Sequence, residues 1–116
     1  MAVILYNYLL DDVDQKIVQW LTMANGDTGQ PYVFAGWYPD KSAQLTGTLG
    51  AAGQCNIEGS NLTTPTWATL KDFDGLVLNL TALGVRGVRE NTYQVRPNVS
   101  AGDANTALTL TLLIRK

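Results

Sequence analysis

The chain has 116 residues, the usual size of one domain, with 46% apolar residues and a formal net charge of −2. Its eight basic residues are too few and too scattered for a nucleic-acid binder, and the absence of histidine excludes histidine-based triads and histidine-ligated metal sites. A single cysteine excludes an intrachain disulfide, and no apolar run reaches the ~20 residues of a membrane span.

The N-terminal segment is apolar on both faces of a strand-like pattern. Val3, Leu5 and Leu9 would face one side, and Tyr6, Tyr8 and Leu10 the other. Such a segment must be covered on both faces, so residues 1–12 form either a central strand or an extended arm laid on a neighbouring subunit. Val3, Leu5, Tyr6, Tyr8 and Leu10 are therefore candidate contact residues. The segment lacks a basic n-region and a small-residue cleavage site, and we expect no secretory signal.

Three carboxylates, Asp11, Asp12 and Asp14, follow this segment. They allow a metal site, but no further clustered acids stand nearby, and a solvated turn is the preferred interpretation. Residues 15–23 fit either a helical face or a strand. Their β-branched and aromatic content favours a strand, which ends at the turn formers of residues 25–29.

The densest aromatic patch lies between residues 31 and 38 and contains Tyr32, Phe34, Trp37 and Tyr38. Alternating aromatics usually belong to a core, but an exposed platform would bind a sugar or a protein partner. Both interpretations stay open, and the four residues are candidate contacts. Residues 39–42 are predicted to turn the chain into a strand over residues 43–49.

Residues 54–70 read as a strand, a polar loop and a second strand, which is the pattern of an antiparallel hairpin. Cys55 and Ile57 alternate with polar residues and are predicted core residues, with Cys55 a buried, inert thiol. Trp67 starts the second strand and is predicted to anchor the core, because one indole buries ~150–250 Å².

The C-terminal half continues the alternating pattern. Residues 76–80 are predicted to form a strand, and residues 81–89 form a glycine-punctuated connector whose Arg86 and Arg89 are candidate interface residues. Pro97 within residues 93–99 indicates an edge strand or a bulge. Residues 106–114 give the clearest strand, with the predicted core residues Leu108, Leu110 and Leu112 on one face.

About eight short strands separated by turn signals, without a convincing helix, predict an all-β fold: an antiparallel β-sandwich of jelly-roll type in a single domain, residues 1–116. The chemistry of an enzyme is missing from the sequence. Glu58 and Glu90 are the only glutamates, nothing places them together, and no phosphate loop or dinucleotide motif occurs. We therefore expect no catalytic activity, no cofactor and no metal.

Three stretches resemble small proteins encoded beside the major capsid protein in tailed bacteriophages. They are NGDTG at residues 25–29, LTGTLGAAGQCNIEGSN at residues 45–61 followed by WATL at residues 67–70, and ENTYQVRPNVSAGDANTALTLTLL at residues 90–113. Together they cover about three quarters of the chain. The loop at residues 62–65 departs from the resembled pattern, which often carries an Asp-Gly turn before the tryptophan.

The resemblance implies a virion structural protein with a β-sandwich fold, including capsid decoration or cement proteins. Such a protein is made in the host cytoplasm, lies on the outer surface of the phage head and contacts the major capsid protein, here as a homo-oligomer, expected to be a trimer. The acidic charge fits a position away from packaged DNA, and we expect neither nucleic acid nor a membrane as partner. The alternatives are a carbohydrate- or host-surface-binding module, since the hairpin also resembles discoidin-type sandwiches, and a tail or head–tail connector component.

Overall fold

A computed structural model describes all 116 residues, Met1–Lys116, as two packed β-sheets without an α-helix. The twelve strands are β1 (Val3–Ile4), β2 (Tyr6–Asp11), β3 (Gln15–Met23), β4 (Thr28–Gly29), β5 (Tyr32–Val33), β6 (Asp40–Thr48), β7 (Gln54–Ser60), β8 (Ala68–Thr69), β9 (Asn79–Leu80), β10 (Gly84–Gly87), β11 (Gln94–Ala101) and β12 (Ala107–Arg115). The predicted all-β sandwich is therefore confirmed, although five of the twelve strands are only two residues long.

The five-stranded sheet has the order β10-β6-β12-β3-β2, and every neighbouring pair is antiparallel. One row of facing residues crosses four strands: Tyr6 lies opposite Trp20, Trp20 opposite Leu110, and Leu110 opposite Leu45. Because side chains alternate between the two faces of a strand, this row points into the core together with every second residue of each strand. The predicted strand at residues 15–23 is confirmed with the same bounds.

The seven-stranded sheet has the order β1-β4-β11-β7-β8, with β5 also paired to β11 and β9 to β7. The strand β11 is central in this sheet, so the prediction that Pro97 marks an edge strand is wrong; the bulge in β11 lies between Val99 and Ala101. Val99 donates its N–H to Asp27 on the β4 side, and Pro97, two residues earlier, faces the same side. Proline has no N–H to donate, but Pro97 lies between the residues of β11 that pair with β5, which end at Val95, and the residue that pairs with β4, Asn98. No ladder hydrogen bond is therefore lost.

Nineteen buried apolar residues form one core between the sheets. The predicted core residues Cys55, Ile57, Leu108, Leu110 and Leu112 lie in it, each at most 1% exposed. Trp67 does not, and the prediction that it anchors the core is wrong. The large indole at the centre is Trp20, whose Nε1 donates a hydrogen bond to the Gln30 carbonyl at 3.0 Å.

The secondary structure of two segments, residues 76–80 and 84–87, differs from the prediction. Residues 84–87, expected within a connector, form the edge strand β10, which pairs with β6 from Gly84 opposite Leu45 to Gly87 opposite Ser42. Of the expected strand at residues 76–80, only Asn79 and Leu80 pair with β7 as a strand. Lys71 and Val77 form an isolated bridge that closes the loop between β8 and β9.

The N-terminal residues 1–12 do not extend away from the molecule. β1 pairs in parallel with β4 of one sheet, and β2 pairs with β3 at the edge of the other. The segment therefore crosses from one sheet to the other at Leu5. No helix in the molecule has the length and apolar character needed to cross a membrane.

Candidate functional site

The N-terminal surface, defined as Val3, Leu5, Tyr8 and Leu9, is an exposed apolar region along one side of the sandwich. Leu5 is 68% exposed, Val3 61% and Leu9 59%. β2 has a strand partner on one side only, so the outer edge of the sheet lies beside these side chains. Exposed apolar side chains at an open edge are typical of a surface that binds another polypeptide.

Hydrogen bonds hold the N-terminal surface in place. The Asp27 carboxylate accepts bonds from the backbone N–H of Ala2 and of Ala24, each at 2.9 Å. The Thr28 N–H donates to the Ala2 carbonyl at 3.0 Å, and the Gln30 N–H to the Ile4 carbonyl at 2.7 Å. The surface is thus preformed, and little conformational entropy would be lost when a partner binds it.

The other two N-terminal candidates, Tyr6 and Leu10, are only partly accessible. Tyr6 packs edge-on against Tyr32, with ring centroids 5.2 Å apart, and against Trp20 at 6.1 Å. Tyr6 therefore connects the edge strand β2 to the core, and its side chain contributes mainly to folding.

The aromatic patch at residues 31–38 divides between core and surface. Tyr32 and Tyr38 are buried, so the hypothesis that they contact a partner is wrong. Tyr32 packs edge-on against Phe34 at 5.4 Å and accepts a hydrogen bond from the Tyr8 hydroxyl at 3.3 Å; burial raises the pKa of Tyr32. Trp37, by contrast, is 72% exposed and is the aromatic of this patch that a partner can reach.

A small cavity lies beside Trp37 and is lined by Phe34, Tyr38, Lys41 and Asn91 among others. Lys41 is only 3% exposed, and burial lowers the pKa of its ammonium group. The turn predicted at residues 39–42 placed Lys41 on the surface, and the lysine was therefore not among the predicted site residues. A signal was present, because Lys41, Ala43 and Leu45 alternate along β6, and all three are buried.

The arginines at the opposite edge are engaged within the molecule. Arg86 forms an ion pair with Asp72 at 2.6 Å, and Arg89 lies 3.4 Å from Glu90. The Arg86 guanidinium, together with the backbone N–H groups of Leu76 and Asp74, holds the pKa of Asp72 below its usual value. Arg86 therefore fixes the loop after β8 against β10, and it is not a free cation for an interface.

Trp67 lies on the outer face of the seven-stranded sheet, where its ring is covered by the Arg96 guanidinium at 4.4 Å. Arg96 and Glu58 are directly opposite across β11 and β7 and form an ion pair at 2.9 Å. Trp67 reaches this face because the preceding loop folds back: Ser60 Oγ accepts the N–H of Leu62 and of Thr66. Arg96 is therefore paired within the molecule.

The remaining reactive groups are dispersed. Burial raises the pKa of the Cys55 thiol to about 12, so the thiol stays protonated at neutral pH. Asp11 pairs with Lys16, whereas Asp12 and Asp14 lie in the exposed turn between β2 and β3. No three acidic or cysteine side chains converge on a position that would hold a metal ion.

The architecture is that of a small two-sheet β-sandwich with an exposed apolar edge. In structure it is similar to the SPBc2 prophage-derived protein YomS, with a TM-score of 0.67 and 8% identity over 92% of this chain and 99% of that one. It is also similar to a cupin domain from Bordetella pertussis Tohama I, with a TM-score of 0.49 and 13% identity over 95% and 88%. No family model and no curated protein matches the sequence. The likeness to YomS shows the fold.

Proposed function

We propose that the protein is a structural component of a phage virion that decorates the outer surface of the head and stabilises the capsid lattice as a homo-oligomer. The observation that carries this proposal is the preformed, exposed apolar N-terminal surface. A prophage-derived protein with the same fold gives it support, as does the net charge of −2, which fits a position away from packaged DNA.

The energetics of decoration follow from the N-terminal surface. Burying Val3, Leu5 and Leu9 against a capsid subunit would contribute about 1–2 kcal/mol per side chain, before the cost of association, because about a third of each residue is already covered. A protein that binds only the assembled lattice shifts the equilibrium toward assembly by mass action. Oligomerisation would multiply these contacts, since linked sites bind together at a high effective concentration.

The test is sedimentation of the purified protein with phage heads that lack it. The wild-type protein should sediment with the heads, and the double variant Leu5→Asp/Leu9→Asp should lose most of this binding while remaining folded. The matched control is Leu83→Asp, because Leu83 is 50% exposed immediately before β10, the strand at the opposite edge of the same sheet. It should bind as the wild type does.

Failure of the wild-type protein to bind heads would reject decoration, and normal binding by the double variant would reject the N-terminal surface. Electron cryo-microscopy of the particle would separate the head from the alternative positions in the tail or at the head–tail connector.

A second candidate function is binding of a host-surface glycan, for which the specific observation is Trp37, 72% exposed beside a cavity. Exposed indole rings stack on the apolar faces of sugars. Binding of the isolated protein on a glycan array, abolished in Trp37→Ala, would favour this function over decoration.

A further inference from the structure

The cavity beside Trp37 contains a buried positive charge, the ammonium group of Lys41. It has a volume of about 90 Å³, and Phe34, Trp37 and Tyr38 form much of its wall. Lys41 enters the cavity from β6, and Asn91 from the loop that precedes β11. A lysine that is 3% exposed is unusual, because lysine is almost never fully buried unless it is paired with an acid.

Lys41 forms no ion pair. Its ammonium group donates hydrogen bonds to the Tyr38 carbonyl at 3.1 Å and to the Asn91 side-chain oxygen. Both acceptors are neutral, and they use two of the three N–H donors of the ammonium. The Phe34 ring lies 5.9 Å from the ammonium nitrogen, but no third acceptor and no carboxylate contacts it directly.

The two carboxylates nearest to Lys41 are engaged elsewhere. Asp40 pairs with Arg115 at 2.9 Å, and Glu90 lies 3.4 Å from Arg89. Both act on Lys41 only as distant charges. Neither carboxylate therefore forms a direct ion pair with Lys41 inside the cavity.

A second cation, Lys116, lies near two of the residues that line the cavity. The Lys116 ammonium lies 5.7 Å from the centre of the Tyr38 ring, and its Cε atom would be 3.8 Å from a Cβ atom built on Gly36, which also lines the cavity. An exposed lysine beside a buried one raises the local positive potential. Two cations and no free acid favour an anion at this position.

We propose that the cavity beside Trp37 binds a carboxylate, namely the side chain of an aspartate or glutamate of a partner protein. A carboxylate oxygen is an acceptor, as the third N–H of Lys41 requires, and the aromatic walls cover the methylene groups behind it. The volume of about 90 Å³ is several times the ~10–15 Å³ that one water molecule requires, so the cavity has room for a carboxylate and one or two methylenes.

Two features favour a protein side chain as the ligand. A phosphate would bring more charged oxygens against the carbonyl oxygens of Tyr38 and Asn91 than the single free N–H can offset. Trp37 stands exposed at the entrance, where it would pack against the surface that carries the acidic residue, as aromatic residues do at the centres of protein interfaces. This inference does not depend on the phage head, because it is tested on the isolated protein.

The direct test is an NMR titration with two ligands that differ in one group. N-acetyl-glutamate N-methylamide carries the carboxylate, and N-acetyl-glutamine N-methylamide is its neutral isostere. The glutamate compound should shift the Trp37 indole N–H and the Lys41 side-chain signals and bind at least tenfold more tightly than the glutamine compound. Equal affinities, or shifts that lie elsewhere on the molecule, would overturn the proposal.

Two variants check the assignment to the lysines. Lys41→Met should abolish the preference for the glutamate compound, and Lys116→Gln, on an exposed side chain, should weaken binding a few-fold without affecting folding. Should Lys41→Met fail to fold, retention of full affinity in Lys116→Gln together with equal binding of the two ligands still rejects the site. Tighter binding of free propionate than of the glutamate compound would reject a protein side chain as the ligand.

Binding should also depend on pH in one direction. The ammonium form of Lys41 is required, so affinity should fall as the pH rises through the lowered pKa of Lys41. The groups that act on this pKa are Asp40 and Glu90, which raise it, and burial, which lowers it more. Affinity that is unchanged across this range would contradict the role of the buried ammonium.

Discussion

At the scale of single residues, the two tryptophans Trp20 and Trp67 differ in burial and should therefore contribute differently to stability. Trp20 is fully buried in the row that joins β2, β3, β12 and β6, and its indole N–H is hydrogen-bonded. We expect Trp20→Ala to lower the free energy of unfolding by about 3–5 kcal/mol. Trp67→Ala removes a half-buried contact with Arg96 on the outer face of the sheet and should cost about 1 kcal/mol.

Equilibrium urea denaturation of both variants measures this difference. Arg96→Lys serves as a control for Trp67, since it keeps the charge but loses the planar contact with the ring. Similar losses for Trp20→Ala and Trp67→Ala would show that Trp67 is a core residue after all.

Lys41 should give the stability of the protein a specific pH dependence. Burial lowers the pKa of Lys41 in the folded state, so between that pKa and the ordinary value of 10.5 the unfolded chain binds more protons than the folded one. The free energy of unfolding therefore rises with pH across this window. Below the window, the cost of burying the charged ammonium is fully present.

The comparison with Lys41→Met isolates this effect, because other titrating groups are common to both proteins. The wild type should gain stability relative to Lys41→Met as the pH increases from neutral toward the ordinary lysine pKa. A stability difference that is constant with pH, measured from urea midpoints, would contradict it.

At the scale of strands, β4 depends on a glycine at the point where Pro97 and Trp20 meet. A Cβ atom at Gly29 would lie 2.5 Å from Pro97 Cδ and 2.6 Å from Trp20 Cδ1. Both neighbours are ring atoms held in the sheet or the core, so they cannot move aside cheaply. Gly29→Ala should therefore cost about 1–3 kcal/mol.

Gly36→Ala is the matched control, because its nearest neighbour, Tyr38 Cε2, would be 3.6 Å away at ordinary contact distance. Thermal unfolding should show a lower melting temperature for Gly29→Ala and little change for Gly36→Ala. Equal melting temperatures would show that β4 can shift away from Pro97.

The strands that could be predicted most clearly from sequence are the long ones, in which buried and less buried residues alternate several times. β3 and β12 each span nine residues, and in β12 the buried Leu108, Leu110, Leu112 and Ile114 alternate with less buried neighbours. β8 and β9 lie within segments that were predicted as strands, and β8 pairs antiparallel with β7 as the predicted hairpin requires, but each is only two residues long because its pairing with β7 is limited to two residues. β10 was missed because Gly84 and Gly87 indicate a connector.

Exposure of the candidate site residues could also be predicted only in part from the sequence. The alternating pattern in residues 3–10 places Val3, Leu5 and Leu9, which are exposed, opposite Tyr6, which packs inward, but it also places Tyr8 with Tyr6, and Tyr8 is 44% exposed. The aromatic patch could not be divided in this way, because Tyr32 and Tyr38 are buried by partners distant in sequence, such as Tyr6. Burial of this kind depends on the packing of two sheets, which periodicity within one segment does not encode.

At the scale of the whole molecule, the N-terminal residues join the two sheets. β1 lies at the edge of one sheet and β2 at the edge of the other, so the segment closes one side of the sandwich. It thus combines a structural role with an exposed apolar surface. A partner that binds there would contact both sheets at once, and the rigidity of the sandwich would be transmitted to the interface.

Deletion of residues 1–10 should therefore destabilise the fold rather than detach an arm. The deletion removes β1, nearly all of β2 and the Tyr6 ring, whose edge-on contacts with Trp20 and Tyr32 are worth about 0.5–1.5 kcal/mol each beyond the area buried. It also leaves β3 as a new open edge prone to association. We expect a lower melting temperature by circular dichroism and self-association by light scattering.

Leu5→Asp/Leu9→Asp is the control, since it changes only exposed side chains and should melt near the wild type. A truncated protein that is monomeric with a wild-type melting temperature would show that the segment is an arm, and only then would loss of head binding on truncation locate the contact surface.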